Sequence, residues 1–359
     1  MTTKWIAGLL LAFSLLLGAK GVFAQPVPSE NLFYMTDTLD SLESFRAHAD
    51  QISIIVPAAY HVDQYGVVYG GVDPRVSKIA AAHHVMVMPI IASFDQKAIH
   101  AFLTNPEARA RAIGIMLYDA QRYHYYGWQF DLENVHVTDR DAYTDFYRQA
   151  AKAMHAHGLK ISMAVVKTQE PFPAADHSGF SKYLYENWKG AFDIKKLAAI
   201  GDFLSFMSYD QNTSLTPPGP VAGMPWMQQM ADYLVKLGVD PRKVSFGIPT
   251  YSDYWHATYS EDHGPHSTRD EIPYREVVNL LDRYQVKPRL MASAGVDYAY
   301  WPGAYGVFNW LFIENADSFG KKLALVRHYR FRGFSAWVLG FEDPAIWKVL
   351  RQQTRAIHY

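Results

Sequence analysis

The run Tyr126-Gly127-Trp128-Gln129-Phe130-Asp131-Leu132-Glu133-Asn134 concentrates the residue types that perform acid–base chemistry. Read as a β-strand, it alternates cleanly. Gly127, Gln129, Asp131 and Glu133 share one face, and Trp128, Phe130 and Leu132 share the other. Carboxylates two residues apart on one face lie about 6.5–7 Å apart at the backbone and approach more closely at their tips. Each then raises the pKa of the other, which is how one carboxyl is kept protonated at neutral pH to act as a general acid. Burying a glutamine and two acids in this way is costly unless they are hydrogen-bonded. The competing reading is an edge strand with two hydrated acids. Which applies depends on the strands around it.

Candidate strands fall at 32–35, 52–58, 85–91, 128–135, 160–166, 203–209, 244–249 and 333–339. Several are apolar throughout, as expected of parallel strands covered on both faces. Helical periodicity separates them, as at 140–157, 224–237 and 316–330, with Gly158 and Gly238 placed to end two of these helices. Eight strand–helix units predict an α/β fold, a (β/α)8 TIM barrel, which has no edge strands and carries its chemistry at the C-terminal strand ends. A doubly wound open sheet is the alternative, but no G-x-G-x-x-G or P-loop follows an early strand. Two connections exceed an ordinary loop: 168–192 after the fifth strand, and 254–310 after the seventh. The second contains a helix-like 274–284 between strand-like pieces and predicts a small α+β insertion, bounded at about 256–310.

The chain has 359 residues, 34 Lys+Arg and 35 Asp+Glu, a balance that argues against a nucleic-acid partner. Cysteine is absent, which excludes disulfides, thiolate-bound metals and a thiol nucleophile. The 9 Trp and 24 Tyr point to a surface that meets flat ligands. Lys4, an apolar run from Trp5 to Ala19, and Val22-Phe23-Ala24 before a polar segment have the pattern of an export signal. The apolar run falls short of the ~20 residues that span a bilayer. A cleavable leader over 1–24 is expected, with residues 25–359 secreted or periplasmic and not stably inserted in a membrane.

The 126–134 run resembles the D-G-x-D-x-D-x-E signature of glycoside hydrolase family 18, the chitinase-like barrels. Gly127, Asp131 and Glu133 match, whereas Tyr126 and Gln129 replace aspartates. A polar non-acid at position 129 is similar to the branch of bacterial spore-cortex peptidoglycan N-acetylglucosaminidases. Further resemblances occur at Met207-Ser208-Tyr209-Asp210-Gln211 on the sixth strand, Gly247-Ile248-Pro249-Thr250-Tyr251 on the seventh and Gly333–Gly340 on the eighth. They imply a secreted retaining glycosidase acting on β-1,4 bonds of N-acetylglucosamine-containing glycans, peptidoglycan or chitin, without cofactor or metal and as a monomer. The resemblance assigns Glu133 as general acid and then base. It makes the 2-acetamido oxygen of the substrate the nucleophile, with Asp131 orienting the acetamide N–H and Tyr209 donating to its oxygen. Gln129, Met207, Asp210, Gln211, Tyr251 and Trp337 are the implied substrate-binding residues, with Trp337 stacking under the sugar. Because Gln129 cannot ionise, Asp131 is expected to stay charged and to shift the pH profile.

The alternatives are a non-catalytic glycan-binding protein on the same barrel and a metal-dependent deacetylase. The retained Glu133, Asp131 and Tyr209 argue against the first. The second would need a ligand set, and the H-x6-H-x2-H spacing of His256, His263 and His266 matches no helix face. His83-His84 reads as a helix end, and Asn212-Thr213-Ser214 is set aside as a glycosylation site given the bacterial-looking leader. Tyr251, Tyr254, Trp255, Tyr298, Tyr300, Trp301 and Trp310 flank or lie within the insertion. They form either its core or part of a glycan groove.

Overall fold

The computed structural model describes residues 26–168 and 179–359. The expected leader and positions 169–178 of the long loop after the fifth strand lie outside the described residues. Eight parallel strands close a barrel: β1 (Val27–Met35), β2 (Ile54–Pro57), β3 (in two pieces, Met86–Val87 and Ile90–Ser93), β4 (Gly127–Leu132), β5 (Lys160–Val165), β6 (Phe203–Phe206), β7 (Val244–Pro249) and β8 (Gly333–Trp337). Every expected strand is present, and β8 returns to β1 through Glu30↔Gly333 to Phe33↔Ala336. The two pieces of β3 make the closure. Met86 and Val87 pair with β2, and Ile90–Ser93 pair with β4. Pro89 divides them because it has no N–H for the ladder. Its carbonyl still accepts from Gln129 N at 3.0 Å.

Alternation sorts each strand between two cores. Outward residues, among them Phe33, Ile55, Trp128, Phe130, Met163 and Phe246, pack beneath the helices. Trp128 is fixed there by its indole N–H, which donates to the Met116 carbonyl at 3.0 Å. The helix Arg140–Ala156 buries Tyr143, Phe146, Tyr147, Ala150 and Met154, the three-and-four spacing of one helical face. The helices Arg140–Ala156 and Met224–Lys236 stop before Gly158 and Gly238, whose φ values of +74° and +72° are readily adopted only without a Cβ. His83 caps the helix Pro74–Ala82, and His84 follows in the left-handed region.

The barrel interior is mixed. Leu32, Ile54, Met88, Ile90 and Phe203 fill part of it. Small hydroxyl residues make room for longer polar ones: Gln129 donates to Ser162 at 3.0 Å, Tyr34 and Ser205 share a 2.5 Å bond, and Ser205 donates to Ser335 at 2.8 Å.

The insertion begins directly at the end of β7. Its strands Ser252–Ser260, Gly264–Ile272, Arg289–Met291, Val296–Pro302 and Phe308–Ile313 form an antiparallel sheet, with the helix Tyr274–Tyr284 against one face. At the floor of the barrel, Thr354–Ala356 adds to the first residues of β1. There Arg332 pairs with the buried Glu30, Tyr359 also bonds Glu30, and Tyr359 stacks on Tyr126 with centroids 5.6 Å apart. No helix among the described residues is long and apolar enough to cross a membrane.

Gly127 opens β4 where a Cβ would lie 1.9 Å from the carbonyl oxygen of Lys160 on β5. Gly127→Ala is expected to destabilise the fold by on the order of 3 kcal/mol, measured by urea unfolding, because the strands must part to admit a methyl group.

Candidate active site

The C-terminal strand ends surround a cleft of about 710 Å³. Asp131 points inward from β4, 9% exposed, with its Oδ1 buried and unpartnered. The strand ends at Leu132, so Glu133 lies one residue beyond it, still in the cleft wall and anchored by its N–H to Ser93 O at 3.1 Å. Asn134 then turns into the left-handed region at φ +58°, which ends the strand and leaves Glu133 at its rim. Met207, Tyr209, Asp210 and Gln211 follow β6, and Trp337 closes β8. All five line the cleft with Asp131 and Glu133.

Asp210, at φ +57°, joins barrel and insertion. Its Oδ1 accepts from Tyr251 Oη at 2.7 Å and from Arg269 Nη2 at 2.6 Å. Arg269 also pairs with the buried Asp253 at 2.9 Å and with Glu271 at 3.4 Å. The main-chain carbonyl of Asp210 accepts from Lys167, which stands just past β5.

Two of the expected substrate-binding residues, Gln129 and Tyr251, do not line the cleft. Gln129 is wholly buried below the cleft, held by Ser162, and supports the wall from behind. Tyr251, 1% exposed, also stays behind the wall and acts on Asp210. Gln211 does reach the cleft, but its Oε1 accepts from Gly223 N at 2.7 Å, which ties down the loop it begins. None of the insertion aromatics lines the cleft. Tyr254 stacks on Trp301 within the insertion core, Trp255 is buried, and Tyr300 stacks on Trp310 at 4.9 Å on the opposite face. The aromatic lining comes from Tyr34, Phe94, Phe180, Tyr183, Trp188, Tyr209, Trp226 and Trp337. Of these, Tyr34 was readable as an inward position of β1. Lys167 and Glu271 also line the cleft without having been singled out. A charged residue just beyond a barrel strand is a usable signal for Lys167, whereas nothing local marks Glu271 or Arg269.

His256 pairs with Asp270 at 2.9 Å, and the rings of His263 and His266 lie 6.0 Å apart. Among the described residues, no group of three or more His, Asp or Glu is arranged to hold a metal ion.

Burial pushes the Asp131 carboxyl up to about 6. Glu133 rises to about 8, first through burial and then through the charges of Asp131 and Asp210, with Lys167 opposing. Near neutrality the pair therefore favours one shared charge, on Asp131, with Glu133 protonated. Burial also keeps the Tyr209 hydroxyl well above the usual range, so it remains a donor. A protonated acid beside an ionised one, with a hydroxyl donor and a flat tryptophan, equips the site to protonate a leaving oxygen while stabilising positive charge next to it.

This arrangement makes a prediction about stability. Both carboxyl pKa values are higher in the native state, so ionisation destabilises the fold. That cost is absent near pH 4 and grows until both groups are ionised, above about pH 8. Glu133→Gln is thus expected to be more stable than wild type at pH 9, by on the order of 1–2 kcal/mol in urea unfolding, with the difference vanishing near pH 4.

Comparison with known proteins places these features. The family model for glycosyl hydrolases family 18 matches residues 32–342. The chain is 23% identical over 330 residues to the uncharacterized glycosylase YvbX of Bacillus subtilis, covering 90% of each. It is 24% identical to the cortical fragment-lytic enzyme of the same organism, covering 79% of this chain but 63% of that enzyme. Among solved structures, the spore cortex-lytic enzyme SleL of Bacillus megaterium superposes with a TM-score of 0.81 at 20% identity, over 94% of this chain and 76% of that one. A chitinase from Chromobacterium violaceum does so with a TM-score of 0.78 at 26% identity, over 90% and 98%. With the family model spanning β1 to β8 and the acidic β4 signature at the rim of a closed barrel, the chain belongs to the glycosyl hydrolases family 18.

Proposed function

We propose that the protein is a secreted, monomeric, retaining glycosidase that cleaves β-1,4 bonds of N-acetylglucosamine-containing glycans by substrate assistance, with peptidoglycan ahead of chitin. The observation that carries this reading is the placement of Asp131 and Glu133 together in a cleft that Tyr209 and Trp337 also line, where burial and the neighbouring charge favour a proton on Glu133. The acetamido oxygen of the sugar over Trp337 attacks its own anomeric carbon as Glu133 protonates the departing glycosidic oxygen. Asp131 holds the acetamide N–H and balances the oxazolinium charge, and Tyr209 donates to the acetamido oxygen. Water then opens the ring from the same side, giving its proton to Glu133. Asp131 ends β4 with Leu132 and Glu133 follows directly, so both acids rise from one side of the cleft, which suits this route better than attack by a second carboxylate from the opposite face. The cortical fragment-lytic enzyme among the relatives supports peptidoglycan. The leader pattern over 1–24 supports export.

Two outcomes test this. Mass spectrometry of sacculi and chitin hexamer digested with residues 25–359 is expected to show fragments ending in reducing N-acetylglucosamine. Glu133→Gln should lower their rate of release ~10³-fold. Products from chitin alone would move the substrate, and none from either would remove the hydrolase reading. The kcat/KM profile should rise through about pH 6 as Asp131 ionises and fall through about pH 8 as Glu133 loses its proton. A profile flat across that range would contradict the assignment of these two roles.

A further inference from the structure

Lys167 is a half-buried cation that forms no ion pair with any of the described residues. It lines the cleft two residues past β5, and its amino group donates to the Asp210 main-chain carbonyl. Among the described residues, no carboxylate lies within ion-pair distance of it. The acids nearby are engaged elsewhere. Asp210 serves Tyr251 and Arg269, Glu271 pairs with Arg269, and Glu133 holds a proton at neutral pH. An ammonium carries three donors, so two remain for the cleft. Lys189 lines the same cleft, and its charge bears on Lys167. Burial first, and Lys189 among the neighbouring charges, depress the Lys167 amine to about 8, a shift that a bound anion reverses.

The position indicates where that anion belongs. β5 is next to β4, which carries Glu133, whereas Trp337 ends β8, on the far side of the ring of eight strands. A sugar lying on Trp337 and joined through an oxygen at Glu133 sends its neighbour toward Lys167. We propose that Lys167 is a specificity residue that binds a carboxylate carried by the sugar on the leaving side of the scissile bond, so that the cleft prefers acidic amino-sugar polymers to neutral ones. This rests on the glycosidase reading above and adds the charge of the substrate to it. The chemistry recognised is a carboxylate on that sugar, tested below on a short ether arm, with a carboxylate on an attached peptide as the alternative source.

The test compares three peptide-free oligosaccharides: one with the ether-linked carboxylate free, the same molecule with that carboxyl converted to a methylamide, and chitin hexamer. Wild-type kcat/KM is expected to favour the free acid over the amide at least tenfold, and Lys167→Met to bring that ratio within threefold of one. Equal turnover of acid and amide by wild type overturns the proposal. So does a Lys167→Met loss that is the same for both, which would make the residue only a tuner of Glu133. Calorimetric binding to Glu133→Gln repeats the comparison without turnover. A tenfold preference for the acid that disappears in the double variant supports Lys167 even if wild type cleaves nothing, in which case the hydrolase reading alone falls. Absence of any preference in binding overturns the Lys167 assignment alone. A preference that arises only when peptides are attached overturns the placement of the anion on the sugar.

Discussion

The cost of holding two carboxyl groups side by side and largely out of water governs this structure. Asp131 and Glu133 are brought together by the period of one strand continued a residue past its end, and among the described residues neither is neutralised by a direct ion pair. Burial and mutual repulsion favour a proton on one of the two. Everything beneath them is consistent with that. Ser162, Ser205 and Ser335 replace bulkier apolar side chains at inward positions, and Gln129 and Tyr34 occupy the resulting space with hydrogen bonds. A fully apolar interior would raise the price of the ionised Asp131 still further.

The second constraint is the attachment of the insertion. Arg269 leaves its sheet to hold Asp210, and Asp253 and Glu271 from the same sheet complete its set of partners. The guanidinium offers a planar fork of donors, so it can engage several carboxylates at once where a lysine could not. The insertion is thereby part of the catalytic end of the barrel, although its own hydrophobic core around Trp301 and Leu311 is separate from that of the barrel. A second buried pair, Lys322 with Glu314, joins the chain leaving the insertion to the helix Ala316–His328.

Local pattern carried much of this. The strands were legible because β-structure repeats every two residues and barrel strands are buried on both faces, and the acidic face of β4 followed from the same alternation. Strand ends were less so: Glu133 and Met207 to Tyr209 lie past the last residues of their strands, since rim residues turn outward to make the site. The insertion helix was readable residue for residue, yet the roles of its aromatics were not. Which face of a sheet meets the cleft is decided by how the sheet docks, and Tyr300 and Trp310 stack on each other instead. Arg269 escaped notice for a related reason. Its partners are 59 residues away at Asp210 and across a strand pair at Asp253, separations that no short-range spacing records. Tyr251 is 1% exposed, and its hydroxyl bonds Asp210 behind the cleft wall, a placement its position after β7 does not specify.

The final strand at Thr354–Ala356 and the Tyr359–Glu30 contact lie at the floor of the barrel, a full strand length from Glu133. Anything joined to the chain beyond residue 359 therefore departs from the face opposite the cleft. Coupling the protein to a bead or a chip through that end would orient every molecule alike, with the cleft turned to the bulk solution, where a polymer too large to diffuse around the support can still thread into it.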